Sequence, residues 1–243
     1  MRLYFDIGNT NIKLNFKVNG EEFFVAYKTT ENYTVDSFYT YLPNEVKDTK
    51  ITSVSVVSVV PSKLELIKGL SKKYWQIDPM ILSFPLKTGI KIKALDPKKV
   101  GADLVSLSAF VASKTKNGVI VNMGTATTIT HVKENELKGV IILPGLKTSL
   151  NALLKNAAKL SEIDLYLPKN KNVGNTTDEA ISIGLIKGHI LMIKGLVKDI
   201  DKDAQIFLSG GNSRMLKDYL FEYEYIKEAT LEGLKVVEAL NEK

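Results

Sequence analysis

Two short stretches of this 243-residue chain carry residue types suited to gripping phosphate. The first is Asp6-Ile7-Gly8-Asn9-Thr10; the second is Asn122 and Met123 followed by Gly124-Thr125-Ala126-Thr127. A glycine in a tight turn lets backbone N–H groups approach an anion closely, and adjacent hydroxyl and amide side chains add donors. Asp6, at the end of an apolar run, can hold Mg²⁺ directly or through water and so neutralise charge on a transferring phosphoryl group. Two such turns facing each other are expected to grip a polyphosphate from both sides. Alone, Gly8-Asn9 also fits a plain hairpin turn. Its repetition in the second half favours the phosphate clamp.

A third group is Gly101-Ala102-Asp103, where two small residues beside a carboxylate let a ligand lie against a helix surface. Asp103 can then accept a proton from a substrate hydroxyl; it can equally complement the helix dipole from the surface. Ser209-Gly210-Gly211-Asn212 lies between a strand and a helix, where a nucleotide base or ribose can rest on bare backbone. Neither a Walker nor a dinucleotide fingerprint is present: Gly139 to Gly145 before Leu146, Lys147 and Thr148 has the wrong spacing. His131 and His189 stand alone and read as structural. Lys72-Lys73-Tyr74-Trp75 reads as the half-buried end of a helix, not a nucleic-acid patch.

The elements that must position these residues follow from periodicity. Strands are expected over 3–7, 11–16, 23–27, 51–60, 119–121, 139–143 and 206–208, with a hairpin turn near Asn135. Helices are expected over 36–47, for about ten residues from Ser62, and from Asp96 as N-cap with Pro97 at the first position up to Lys114. Further helices cover 146–160 and the span from a Thr176 or Thr177 cap to about Val197, whose glycines imply close packing. Residues 78–92 read as irregular, 164–175 as a lysine-rich loop, and two helices close the chain. The strand–turn–strand unit occurs once per half. The fold class is therefore α/β, with two duplicated lobes (1–115 and 116–243) and a nucleotide cleft between them.

Composition narrows the functions. Lys and Arg number 33 against 27 Asp and Glu, a net +6 that is spread along the chain. It suits an anionic small ligand and is too diffuse to indicate nucleic acid. The chain has no cysteine, which excludes disulfides, thiolate catalysis and iron–sulfur sites. No apolar run is expected to reach the roughly 18 residues that span a bilayer. Only Leu3, Tyr4 and Phe5 separate Arg2 from Asp6, so no signal peptide is expected and the location read from the sequence is cytoplasmic.

With these residues assembled, the chain resembles the type III pantothenate kinases of the acetate/sugar kinase–Hsp70–actin superfamily over nearly its whole length. The match rests on the two phosphate turns, Pro97 with Val100-Gly101-Ala102-Asp103, and Gly139 through Pro144-Gly145 with Ala157-Ala158-Lys159-Leu160. Gly174 with Thr177 before a helix completes it. The resemblance implies two actin-like (ribonuclease H-like) lobes. It assigns ATP and its phosphates to Asp6, Ile7, Gly8, Asn9, Thr10, Asn11, Ile12 and Lys13, with Gly124, Thr125, Gly210 and Gly211. Pantothenate is assigned to Gly101, Ala102, Asp103 and Leu104, with Asp103 as proton acceptor and Thr177 contacting substrate across a homodimer seam. Mg²⁺ on Asp6 through water, and a monovalent cation (K⁺ or NH₄⁺) at Asn122, are the implied ions. The implied reaction is ATP + pantothenate → ADP + 4′-phosphopantothenate, the first step of coenzyme A synthesis. Its loose transition state depends on positioning and charge more than on strong base chemistry.

The chain departs from the family pattern at Leu104, where Arg is usual, at Asn122, where Asp is usual, and at Ile92, where an aromatic is usual. The alternative these departures leave is a nucleotide-binding regulator, like a transcriptional activator accessory factor, with weak or no turnover. Direct nucleic-acid contact is not expected, since no helix-turn-helix or concentrated basic helix is legible.

Overall fold

The computed structural model describes residues 1–93, 96–157, 163–168, 171–220 and 222–242. In chain order the elements begin β1 (Arg2–Ile7), β2 (Asn11–Val18), β3 (Glu21–Lys28), α1 (Val35–Tyr41), α2 (Asn44–Asp48), β4 (Ser53–Ser58) and α3 (Pro61–Leu70). Next come β5 (Met80–Ile81), β6 (Lys91–Ile92), α4 (Ala102–Lys114), β7 (Asn117–Met123), β8 (Ala126–Lys133) and β9 (Glu136–Pro144). The chain ends with α5 (Leu146–Asn156), α6 (Thr177–Ile200), β10 (Gln205–Ser209), α7 (Ser213–Leu216), β11 (Glu224–Tyr225) and α8 (Ala229–Asn241). They group into two compact units. One holds Met1–Lys116, Glu134–Leu137 and Glu228–Lys243; the other holds Asn117–Lys133 and Lys138–Lys227.

The first unit is built on a sheet of order β3-β2-β1-β4-β5, antiparallel from β1 to β3 and parallel from β1 to β5. Period-two alternation sends Leu3, Phe5 and Ile7 of β1, with Ile12, Leu14 and Phe16 of β2, into one core with Phe38, Leu66, Ile67 and Leu70 of α1 and α3. Each such fully buried side chain contributes about 1.5–3 kcal/mol before entropy is counted. The opposite face of β1 and β4 packs Tyr4 and Val57 against Val105 and Ala109 of α4 and Leu231, Leu234 and Val237 of α8. β4 is covered on both faces, with Val54 and Val56 in one core, Val57 in the other and Ser55 buried among them. Helices α4 and α8 touch backbone to side: a Cβ at Gly233 would lie 1.8 Å from the Ser106 carbonyl oxygen. Ser106 Oγ donates to the Thr230 carbonyl at 2.6 Å beside it.

The second unit repeats the plan strand for strand. Its strands run β9-β8-β7-β10-β11, with β7 antiparallel to β8 and parallel to β10; the sheet has a sixth strand, β6, parallel to β9 at Glu136 and Leu137. Val119, Val121 and Met123 of β7 meet Ile186, Ile190, Ile193 and Val197 of α6 and Leu146 of α5. The duplicated α/β architecture expected from the repeat is present.

Local differences from the sequence reading have local causes. The expected helix from Pro97 is a single 3₁₀ turn, Pro97–Lys99. Gly101, at ψ 135°, interrupts the ladder, and α4 starts afresh at Ala102. The expected helix over 36–47 is split at Pro43, which cannot continue α1. Asn117 and Gly118 do not break the chain before β7 but belong to it, pairing with Lys133 and Val132. The end of the expected 146–160 helix, with Ala158-Lys159-Leu160, lies outside the described residues. The chain does not simply divide at 115/116: α8 groups with the first unit, against α4. Of the two closing helices expected, α7 is a single turn and a short strand, β11, precedes α8. Contrary to expectation, α6 is long and apolar enough to cross a membrane by length and composition. One side of it forms a wall of the second unit's core. Its glycines do not pack closely, since a Cβ at Gly184, Gly188 or Gly195 meets nothing within 4 Å among the described residues.

Candidate active site

The first turn lies where β1 ends. The alternation that buries Phe5 and Ile7 against α1–α3 points Tyr4 and Asp6 to the side of α4 and α8. There Asp6 senses three charged neighbours: Lys13, Glu228 and Asp103. Burial pushes the Asp6 carboxyl up to about 7; Lys13 pulls it back, while Glu228 and Asp103 add to the rise. Lys13 is the register partner of Asp6, yet its ammonium pairs with Glu228 Oε2 at 2.5 Å. Asp6 itself has no hydrogen bond or ion pair among the described residues.

The turn that follows is fastened by its carbonyls. Gly8 N–H donates to Asn11 O at 3.0 Å, and Thr29 donates from N to Thr10 O at 2.9 Å. Thr29 Oγ1 also donates to Gly8 O at 2.7 Å. The Asn9 N–H has no internal acceptor among the described residues. A Cβ at Gly8 would meet only Asn11 O, at an ordinary 3.5 Å. The protein's own packing therefore does not demand glycine at that position, and the space above the turn is left for something else.

Asp103 owes its setting to the break at Gly101. With α4 beginning at Ala102, Asp103 stands in its first turn and accepts the backbone N–H groups of Leu104 and of Asp103 itself. Burial raises its carboxyl above the ordinary range, and those two hydrogen bonds offset the rise only in part. A Cβ at Gly101 would come 2.5 Å from Asp103 Oδ1 and displace the carboxylate. Ala102 and Leu104 are partly buried beside it, and Ile92 packs into the core with Tyr4 and Leu231.

The second turn, in the second unit, has the same inward-facing carbonyls with different supports. Gly124 N–H donates to Ala126 O at 2.9 Å, and Gly145 N–H to Thr125 O at 3.0 Å. Thr148 Oγ1 donates to Thr125 O at 2.6 Å, and Asn212 Nδ2 to Gly124 O at 2.9 Å. Two glycines are required here by the protein itself. A Cβ at Gly145 would lie 2.5 Å from Gly124 O, and one at Gly210 (φ +94°) would lie 2.5 Å from the Met123 backbone. Gly210 is thus explained by packing, whereas Gly211 is exposed with nothing within 4 Å of a Cβ. Asn122, opposite Thr128 and Ser209 in register, is an amide with no recorded side-chain partner among the described residues.

The fold thus brings Asp6, Lys13 and Asp103 together in the first unit, and Asn122, Gly124, Thr125, Gly210 and Gly211 together in the second. Asn11 and Ile12 begin β2, where Ile12 is core and pairs with Ile7. Thr177 is exposed at the first position of α6; Thr176 is the cap, accepting from Glu179 N at 3.2 Å. Gly174 packs over that helix start, a Cβ there meeting Ala180 N at 2.2 Å. Glu228, Thr29 and Asn212's side-chain role escaped the sequence reading: only Asn212 lay in a motif, and none carries a local spacing that marks it. His189 is buried with Nε2 2.9 Å from Thr127 Oγ1, and His131 lies 3.1 Å from Asn117 Oδ1. Both are structural. Tyr74 stacks on Tyr39 at 3.7 Å, as a half-buried helix end should.

Comparison with known proteins agrees with this architecture. The family model for type III pantothenate kinase matches residues 2–199. A type III pantothenate kinase of Mycoplasma mobile is 37% identical over 97% of both chains. One from Acholeplasma laidlawii is 34% identical over 96% of both. Among solved structures, a Campylobacter jejuni protein described as a Baf family transcriptional activator aligns over 98% of both chains with a TM-score of 0.64 and 20% identity, a likeness of fold. A match of this extent, on a duplicated actin-like fold whose glycine turns both survive, leads to one conclusion: the chain belongs to the type III pantothenate kinase family.

Proposed function

We propose that this protein is a cytoplasmic kinase that phosphorylates pantothenate with ATP, giving ADP and 4′-phosphopantothenate, the first step of coenzyme A synthesis. The observation that carries the reading is the convergence of an unpaired Asp6 and a proton-hungry Asp103 on one face of the first sheet. The pantothenate primary hydroxyl attacks the γ-phosphorus; a new P–O bond forms, the bond to the β-phosphate bridge breaks, and ADP leaves. The hydroxyl proton goes to Asp103, whose raised affinity suits that role. At the first turn, phosphate oxygens are received by the Asn9 N–H, with the Lys13 ammonium on the adjacent strand.

The residues fit Mg²⁺: Asp6 is a carboxylate without a protein partner, and this ion is ordinarily held by one or two carboxylates, phosphates and water. When bound there it supplies charge neutralisation for the transferring group. A monovalent cation does not fit equally well, since Asn122 offers an amide oxygen with only partial charge. No step depends on it.

The quaternary reading is a homodimer. The exposed side of α6 carries Gly184, Gly188, Leu191 and Gly195, and Leu191 is 68% exposed. Small residues at this spacing permit close helix approach by a second copy, with exposed Thr177 on the same helix reaching its substrate. Mixing inactive Asp103→Asn chains with inactive Thr177→Ala chains should restore activity if each subunit completes the other's site. An active monomer in sedimentation would refute this.

The function is tested by ADP release with and without pantothenate, with the product identified by mass. Nucleotide binding without pantothenate-dependent ADP release would point instead to a regulatory protein.

A further inference from the structure

Lys13 and Asp6 lie opposite each other on β2 and β1, and opposed charges on one face of a sheet ordinarily join. Here they do not. The Lys13 ammonium goes to Glu228, and Asp6 is left without an ion pair. Glu228 is held where it can do this by the tertiary fold. It is the residue at which the chain re-enters the first unit, and it occupies the N-cap position of α8 with its side chain free of the helix end; Gly233 and Thr230 fix α8 against Ser106 of α4. Its side chain is 18% exposed and Lys13's 27%, so the pair is neither a loose surface contact nor a fully desolvated one.

We propose that Glu228 is a positioning residue that withholds Lys13 from Asp6, leaving the Asp6 carboxylate open to a divalent cation and the Lys13 ammonium steady at the turn for phosphate. The proposal rests on reading the first turn as a Mg²⁺·ATP site. Were Lys13 joined to Asp6, an incoming cation would meet a neutralised carboxylate and a repelling ammonium. A lysine already held by one carboxylate also loses less rotamer freedom when a phosphate arrives. A purely structural tie between β2 and α8 would make a different prediction: Glu228→Gln would cost stability to the same extent whatever stands at position 6.

Two measurements decide between these. The first is Mn²⁺ affinity in the presence of a non-hydrolysable ATP analogue, read by electron paramagnetic resonance. Glu228→Gln should weaken Mn²⁺ binding about 10-fold, the scale of losing an orienting partner. Glu228→Asp should retain most of the affinity, and adding Lys13→Met to Glu228→Gln should recover part of the loss. The second is thermal unfolding of the ligand-free protein at pH 8. Asp6→Asn should raise Tm in the wild-type background, by removing an uncompensated charge. It should lower Tm in the Glu228→Gln background, where Lys13 has come to depend on Asp6. Mn²⁺ affinity unchanged in Glu228→Gln, or an effect of Asp6→Asn that is the same in both backgrounds, would overturn the proposal. Neither readout involves turnover, so a protein that binds Mn²⁺·nucleotide yet releases no ADP with pantothenate would defeat the kinase reading alone.

Discussion

The two glycine turns occupy the same place in two sheets whose five corresponding strands run in the same order, yet they differ in length, charge and support. Between the register pairs Ile7↔Ile12 and Met123↔Thr127, the first turn has Gly8 through Asn11 and the second only Gly124 through Ala126. The first is fastened by Thr29, just past the end of the neighbouring strand β3. The second is held by Gly145, Thr148 and Asn212, from two other segments. Around the first stand Asp6, Asp103, Glu228 and Lys13; the matching position in the second is the neutral Asn122. What the copies share is an arrangement of backbone: the first glycine's N–H closes on a carbonyl at the far end of its turn, and the turn's own carbonyls are engaged by neighbouring donors. What they do not share is charge. Turn geometry can therefore be kept twice while the charged side chains are concentrated around one copy.

The comparison is broken most forcefully at Asp103. If the chemistry sits in the first unit, Asp103→Asn should lower kcat by about 10²-fold or more, with nucleotide binding by calorimetry nearly unchanged. Equal activity would leave Asp103 as a helix-dipole partner only.

Asp6→Asn makes the first turn resemble the second. It should abolish most Mg²⁺-dependent turnover and at the same time stabilise the ligand-free protein. The sign follows from the raised carboxyl. In the folded state Asp6 releases its proton only near 7, against about 3.9 when unfolded. Its ionisation therefore erodes stability as pH rises from about 4 to about 7, and the loss is complete above that. The Tm gain of Asp6→Asn should accordingly be larger at pH 8 than at pH 4.5. A gain equal at both would show that Asp6 is not held in the way described.

Alanine at the glycines separates support from ligand space. Gly210→Ala and Gly145→Ala should each cost about 1–3 kcal/mol or more in denaturant unfolding, because a methyl would collide with backbone. Gly8→Ala and Gly124→Ala should unfold within about 1 kcal/mol of wild type yet weaken ATP binding. Loss of fold in the second pair would mean that those turns too are glycine for internal reasons.

The smallest effect is expected at Asn122. Wild type should depend little on potassium. Asn122→Asp, which gives the second turn the first turn's carboxylate, should create potassium activation and lower the apparent KM for ATP a few-fold. Strong saturable potassium activation in the wild type would show that the amide suffices.

Much of the fold was legible because it is written in local periods. Strand periodicity marked β1 and β2, a run rich in β-branched residues marked β4, and the recurrence of an apolar strand, a small polar turn and a returning strand announced the duplicated sheet. Two kinds of error show where local reading stops. Asp96-Pro97 has good helix-start chemistry, but Gly101, two residues after the 3₁₀ turn, takes an extended ψ that ends the ladder, and the helix restarts one residue before Asp103. The α6 glycines suggested close packing, but whether a glycine face is covered depends on a neighbour that no local pattern names.

Sequence alone determined which backbone segments could form anion-binding turns, since glycine, small hydroxyl residues and strand periodicity act within a few residues of one another. It also determined the family, through the order and spacing of its motifs. Only the tertiary structure decided how charge is arranged around those turns. Glu228 reaches Lys13 from 215 positions away, and α8, last in the chain, returns to the first unit because Gly233 admits it against Ser106. Asp6 is left unpaired beside its own register partner for the same reason: electrostatic partnership is settled by distance in space, and at that separation along the chain no spacing rule reports it.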